Sequence, residues 1–223
     1  KRNSKMANSK SSSEKIAVVG LGPVGLILAV HLKEAGCDVA ICDFDKVKIN
    51  LIRREGIKLE GVIQKHATFK NIYTDIRDLK EFQPSIIFAC IKGYQTPGFV
   101  EQMIYNDFKE TLFVSAQNGI DVEQIFASGI GESKTLRMVL NFAGNLNAPH
   151  VAKVTFFNPP NYIASLDDSK KETAQRISDW LNKVDLTTKT LSSFEILKQV
   201  WEKNILNSSL SALCGIGKLT IKE

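Results

Sequence analysis

One feature near the start of the chain narrows the folds open to it more than any other. A short β-branched run, Lys15–Val19, leads straight into Gly20-Leu21-Gly22-Pro23-Val24-Gly25. An apolar stretch of helical length, Leu26–Ala35, follows and is closed by Gly36. A second buried-strand pattern, Asp38–Cys42, then ends at Asp43. Strand, glycine turn, helix and strand in this order make a βαβ unit.

The glycine spacing carries chemistry in that setting. A dinucleotide's pyrophosphate needs backbone N–H groups at a helix start with no side chain in its path. Gly20 allows the tight turn, Gly22 the close approach, and Gly25 the tight packing of helix on strand. A G-x-G-x-x-G on its own is weak; a strand before it, a helix after it and Asp43 placed 18 positions past Gly25 make it specific. Gly20, Leu21, Gly22, Pro23, Val24 and Gly25 are therefore the expected cofactor turn. Asp43 at a strand end suits both ribose hydroxyls of NAD and would repel the 2′-phosphate of NADP, which tilts the choice toward NADH. The bland alternative is an aspartate capping the next turn, and Lys46 and Lys48 stand close enough to hold a phosphate.

Alternation continues along the chain. Strand patterns at Ile86–Ile91, Leu112–Ser115 and Thr135–Leu140 are interleaved with helical segments near Phe99–Tyr105 and from Asp121. Continuous apolar strands separated by helices predict a doubly wound parallel sheet covered on both faces. Val151–Phe157 and Tyr162–Leu166 read as strands joined by Asn158-Pro159-Pro160-Asn161 into a hairpin or edge pair. An amphipathic helix over Lys170–Leu181, a last strand at Asp185–Leu191 and a long helix over Phe194–Cys214, stopped by Gly215 and Gly217, complete the pattern.

Charge and cysteine usage exclude other classes. Of 29 Lys and Arg, four (Lys1, Arg2, Lys5, Lys10) precede Glu14, leaving 25 against 24 acidic residues in the body. A nucleic-acid binder would carry its charge as a patch on the folded part. The four cysteines, Cys37, Cys42, Cys90 and Cys214, show no paired spacing and sit in apolar stretches, as in a reduced, cytoplasmic protein. The apolar run Val24–Val30 is far below the ~20 residues of a membrane span, and Lys1–Glu14 has no hydrophobic segment of the secretory kind.

Polar residues just past strand ends are the next candidates, because ligands of open α/β sheets bind there. Lys92 and Gln95 follow one such end and Asn118, in Gln117-Asn118-Gly119, another. On the long helix, Lys203, Asn207 and Ser211 recur at i, i+4 and i+8 and form one stripe. Ile196, Val200 and Leu210 share that azimuth at about 100° per residue, so Lys203 is expected to be partly desolvated, with its proton affinity lowered toward the range of acid catalysis.

Together these segments resemble the ketopantoate reductase (2-dehydropantoate 2-reductase) family: the glycine turn, Lys92 with Tyr94-Gln95-Thr96, Gln117-Asn118-Gly119, and Trp201-Glu202-Lys203 followed by Asn207. The resemblance implies a Rossmann-like domain over 15–191, after a tail at 1–14, and the start of an all-helical, dimer-forming substrate domain over 192–223. It implies NADPH-dependent reduction of a small 2-oxo acid, ketopantoate, in pantothenate biosynthesis. Lys203 would be the catalytic lysine, with Asn207, Ser211 and Asn118 on the substrate and Lys92, Gln95 and Asn118 on the cofactor side. Ser211 stands where members often have a second asparagine, and Asp43 where they usually have a basic residue. The chain ends at Glu223 after one helix of the second domain, so a truncated form is expected. Another 2-oxo or 3-hydroxy acid dehydrogenase, or a dinucleotide-binding module without catalysis, are the alternatives.

Overall fold

Strands that are apolar on both faces need cover on both faces, and this chain supplies it from three layers. The computed structural model describes residues 13–218; most of the expected tail lies outside them. In chain order the elements are β1 (Lys15–Val19), α1 (Pro23–Glu34), β2 (Asp38–Cys42), α2 (Lys46–Glu55), β3 (Ile57–Gly61), β4 (Lys65–Ala67), β5 (Asn71–Tyr73), α3 (Leu79–Phe82), β6 (Ile86–Ala89), α4 (Thr96–Tyr105), β7 (Leu112–Ser115), α5 (Val122–Ile130), β8 (Thr135–Val139), β9 (Phe142–Ala148), β10 (Val151–Phe157), β11 (Asn161–Ser165), α6 (Lys171–Asn182), β12 (Thr188–Thr190) and α7 (Ser193–Gly217).

The main sheet has eight strands in the order β12-β11-β8-β7-β6-β1-β2-β5. Its neighbours pair in parallel except β11, which runs antiparallel to β8. The two-residue period of a strand sorts β1 between two cores. Ile16 and Val18 join α1, α2 and α6 on one face. Ala17 and Val19 join α3, α4 and α5 on the other, around Phe99, Phe113 and Phe126, whose ring centroids are 5.9–6.5 Å apart. The chain leaves β1 toward β2 on one side and returns through β6 on the other. The crevice over their carboxyl ends is thus a topological switch point, where such sheets bind ligands.

A second sheet, ordered β4-β3-β10-β9, was not anticipated. It explains α1, in which Gly25 through Leu32 are all buried. A helix that is apolar all round must be covered all round, and α1 packs against both sheets. The expected hairpin of Val151–Phe157 with Tyr162–Leu166 is therefore corrected. β10 pairs with β9 and β3 in the second sheet, while β11 pairs with β8 and β12 in the main one, and Asn158–Pro160 carries the chain between them.

The long helix is also longer than expected. α7 begins at a capping box in which Ser192 Oγ accepts from the Glu195 N–H and a Glu195 carboxylate oxygen accepts from the Ser192 N–H. It runs through Gly215 and ends at Lys218 in a left-handed conformation. Ile196 and Val200 bury its first half against Val139 and Ala164 of the main sheet. Ile205, Leu206, Leu213 and Ile216 farther along are exposed. Of the cysteines, Cys37 and Cys42 are buried as expected, whereas Cys90 and Cys214 are half-buried. No described helix is long and apolar enough to cross a membrane.

Sealing α1 between two sheets encloses an imidazole. His31 Nδ1 donates to the Ile27 carbonyl at 2.7 Å, and its Nε2 has no partner among the described residues. Burial, the main cause, pushes its pKa down to about 4. A folded value below the unfolded one near 6.5 gives stability that is fully present above that pH and lost as pH falls toward 4. Denaturant titrations at pH 7.5 and pH 4 should show the wild type losing about 3 kcal/mol more than a His31→Leu variant, the difference removing the shared carboxylate effects.

Candidate functional site

The glycine turn is built as its spacing requires. Gly20 has φ +88°, and a Cβ there would lie 2.9 Å from the Cys90 carbonyl group, so only glycine fits. A Cβ on Gly25 would lie 1.9 Å from the Gly20 carbonyl oxygen, which is how closely α1 approaches the turn. A Cβ on Gly22 would meet nothing within 4 Å: that side is open. Gly22 caps α1 without a side-chain hydrogen bond, Pro23 occupies the first turn, and no acidic residue stands there. The positive end of the helix is left free for an anion.

The turn opens into a cleft of about 800 Å³ that also touches Asp43, Lys48, Arg77, Lys92, Gln95 and the exposed rings of Phe44 and Tyr94. The size suits a large, extended ligand. Gly20, Leu21 and Gly22 face this space, whereas Pro23, Val24 and Gly25 serve the helix behind it. Gln95 braces the wall, its side-chain oxygen accepting from the Lys92 N–H at 3.1 Å. Cys42 and Cys90 line the cleft too; burial pushes both thiols up, Cys42 to about 12, so neither is a nucleophile near neutral pH.

Asp43 differs from the expected free carboxylate. It is 7% exposed, Oδ2 accepts from the Leu21 N–H at 2.7 Å and from Lys48 Nζ at 3.1 Å, and Oδ1 accepts from the Asp45 N–H at 2.9 Å. Three of its roughly four acceptor directions are taken, and its charge is paired with the buried Lys48. The group clamps the glycine turn to the end of β2 while still bordering the cleft. Lys46 is exposed and outside the cleft lining.

A second, narrow crevice lies past the carboxyl ends of β7 and β8. Gln117, Asn118, Gly119, Arg137, Val139, Val200, Lys203, Asn204 and Asn207 line it. Asn118, expected on both the substrate and the cofactor side, lines this crevice beside Lys203 and Asn207, as its substrate role requires, and is not in the lining of the larger cleft. Gln117 of the crevice is tied to the cleft by one hydrogen bond: its Nε2 donates to the carbonyl of Ile91, which lines the cleft, at 3.1 Å, and also to Thr96 Oγ1 at 2.8 Å. The Lys203 amine donates to the Leu140 carbonyl just past β8. Burial first, and the Arg137 cation second, push its pKa down to about 8. The side chain of Ser211 lies outside the described residues.

Arg137 and Asn204 are not among the sequence candidates, and Gln117 enters there only as part of Gln117-Asn118-Gly119. Asn204 hides in the helical pattern, its side chain donating to the Val200 carbonyl. Arg137 had a signal: a cation inside the otherwise apolar run Thr135–Leu140. A buried charge must be paired or used.

Comparison with known proteins agrees with the fold. Two solved structures, 2-dehydropantoate 2-reductase from Methylococcus capsulatus and a PanE/ApbA family ketopantoate reductase from Ralstonia eutropha JMP134, superpose with TM-scores of 0.79 and 0.77 at 16% and 20% identity, over 92% of this chain. D-mandelate dehydrogenase in complex with NADH superposes with a TM-score of 0.76 at 20% identity over 93% of this chain. At these identities the likeness is one of fold. The chain spans 64–65% of the length of these three proteins. An uncharacterised protein of Methanocaldococcus jannaschii is 39% identical over 87 residues, 34% of this chain and 9% of that protein. The family model for ketopantoate reductase PanE/ApbA matches residues 16–168, well over half of the sequence, and the chain belongs to that family.

Proposed function

We propose that this chain carries the nucleotide site and the catalytic lysine of an NAD(P)H-dependent 2-oxo acid reductase, with ketopantoate its first candidate substrate. The observation that carries the reading is the Lys203 amine: half-buried, lowered to about 8, and set with Asn118 and Asn207 in a crevice that a Gln117–Ile91 hydrogen bond joins to the glycine-turn cleft. The residues present fit a dinucleotide, since Gly22 leaves the approach open and the start of α1 offers unclaimed N–H groups. A reduced nicotinamide, when bound, supplies the hydride. Lys203 holds an ammonium where a carbonyl oxygen would gain negative charge, stabilises that charge, and gives up its proton to make the hydroxyl. Asn207, one helical turn on, orients the substrate by hydrogen bonds, and Asn118 from the facing turn contacts both the substrate and the nicotinamide end of the dinucleotide.

A bulkier 2-oxo acid is the second reading. The fold of D-mandelate dehydrogenase, also solved with NADH and anilino(oxo)acetate, favours it, with a TM-score of 0.74 over 90% of this chain. A panel running from ketopantoate to aryl 2-oxo acids separates the two. Reduction of none of them would leave a binding module and sink both.

Lys203→Ala, made in the full-length protein, should leave dinucleotide affinity nearly unchanged and lower turnover roughly 10²–10⁴-fold. Unchanged turnover would take Lys203 out of the chemistry. Because the protonated amine is the active form, the wild-type rate should fall as pH rises through about 8. A falling limb near the ordinary lysine value instead would show that the amine is solvated.

For the nucleotide, Lys48 neutralises Asp43, so NADPH should be accepted beside NADH. Lys48→Met frees the carboxylate to repel a 2′-phosphate and should shift relative affinity toward NADH by about tenfold, read by fluorescence titration of both nucleotides. Parallel changes in both affinities would show that Lys48 does not read the 2′ position.

A further inference from the structure

Beneath the turn that carries Asn118 lies a cation that the proposed chemistry does not use. Arg137 projects from β8, whose residues are all buried, and is itself 2% exposed. Its guanidinium reaches three separate elements. Nη1 donates to Ser115 Oγ at the end of β7, at 3.1 Å, and Nη2 donates to the Gly119 carbonyl at 2.9 Å. Nη1 also lies 3.3 Å from a carboxylate oxygen of Glu123, in the first turn of α5 and 1% exposed. Ser115 Oγ donates onward to Gln117 Oε1 at 3.1 Å, and Gln117 donates to Thr96 and to the Ile91 carbonyl. One buried network thus ties the region past β6 to the ends of β7 and β8 and to the starts of α4 and α5.

As a source of stability this network is poor. Arg137 and Glu123 meet off-line, so both Glu123 oxygens and Arg137 Nε lack a hydrogen-bond partner among the described residues. Well-packed apolar side chains of similar size often hold a core as well as a buried ion pair does. What the charges do supply is position. Gly119 and Asp121 both have positive φ, +119° and +60°, an arrangement that does not hold itself, and Arg137 grips the Gly119 carbonyl from below. It also lines the Lys203 crevice.

We infer that Arg137, anchored by Glu123, is a positioning residue that fixes the Gln117–Gly119 turn and so sets Asn118 opposite Lys203. The inference rests on the proposed reductase reading. The charges around the Lys203 amine agree with it: Arg137 of β8, which lines the same crevice, lowers the amine's proton affinity through its charge, and Glu123 of α5 lies against Arg137.

Arg137→Met alone would strand a buried carboxylate, so the deciding protein is Arg137→Met with Glu123→Leu, which removes both charges. Two ligands separate local from general damage: ADP probes the adenosine half of the cleft, and the reduced dinucleotide probes the whole of it. The double variant should bind ADP within about twofold of wild type and NADH or NADPH about tenfold more weakly. In ligand-free protein the Lys203 ammonium, followed by lysine-labelled NMR, should titrate above the wild-type value of about 8. Dinucleotide affinity unchanged, ADP weakened in step with it, or a Lys203 titration that does not move would each reduce the pair to packing and overturn the inference. A wild-type protein that binds neither nucleotide would instead sink the reductase reading, and this role with it.

Discussion

The close approach of α1 to its own turn sets the rest of the site. With no Cβ on Gly25 to intervene, the helix start sits directly beneath Gly20, and the N–H groups of its first turn face the switch point between β1 and β6. That approach is held by burial rather than by polar contacts. Residues 25–32 leave no face for water, so the second sheet is needed as a lid on the helix, and the lid fixes the helix against β1. A helix with a solvated side could tilt. This one is confined between two layers, which suits a site that recognises an anion by backbone geometry.

Electrostatics at the turn follow from that confinement. The Leu21 N–H, brought within 2.7 Å of Asp43, makes the carboxylate part of the scaffold, and a carboxylate this buried needs a cation. Lys48, one turn into α2, provides it. An aspartate at this place in a sequence reads as a selector for NAD, yet paired with Lys48 it presents little net charge to a 2′-phosphate.

Much of this was legible from residue patterns, and the reasons are physical. Lys15–Val19, Asp38–Cys42 and Leu112–Ser115 form strands over the ranges their apolar runs predict, because a buried strand has no polar alternative register, and Val151–Phe157 forms one over its predicted range with only one face buried. The three glycines act as their spacing implies because each role is steric. The second sheet was not legible: β3, β4 and β9 carry Lys58, Glu60, Lys65 and Asn145 and are buried on one side at most, so none shows a continuous apolar run. Their partners are brought together by a crossover that no local pattern encodes. The same holds for Asn118. Sequence places it past a strand end, but only the order β8-β7-β6 decides that it meets Lys203 rather than Lys92.

The lysine shows how fold and chemistry meet. Ile196 and Val200 bury the first half of α7 on β8 and β11, and Lys203 follows them one turn later, where the sheet ends and its last carbonyls become available. Three residues earlier the amine would have been driven into an apolar layer; a turn later it would have stood in water with an ordinary proton affinity. At the boundary it finds the Leu140 carbonyl, loses enough solvent to fall to about 8, and stays near a second cation that keeps it there. An amine that titrates near neutral pH thus follows from where one helix crosses the end of one strand.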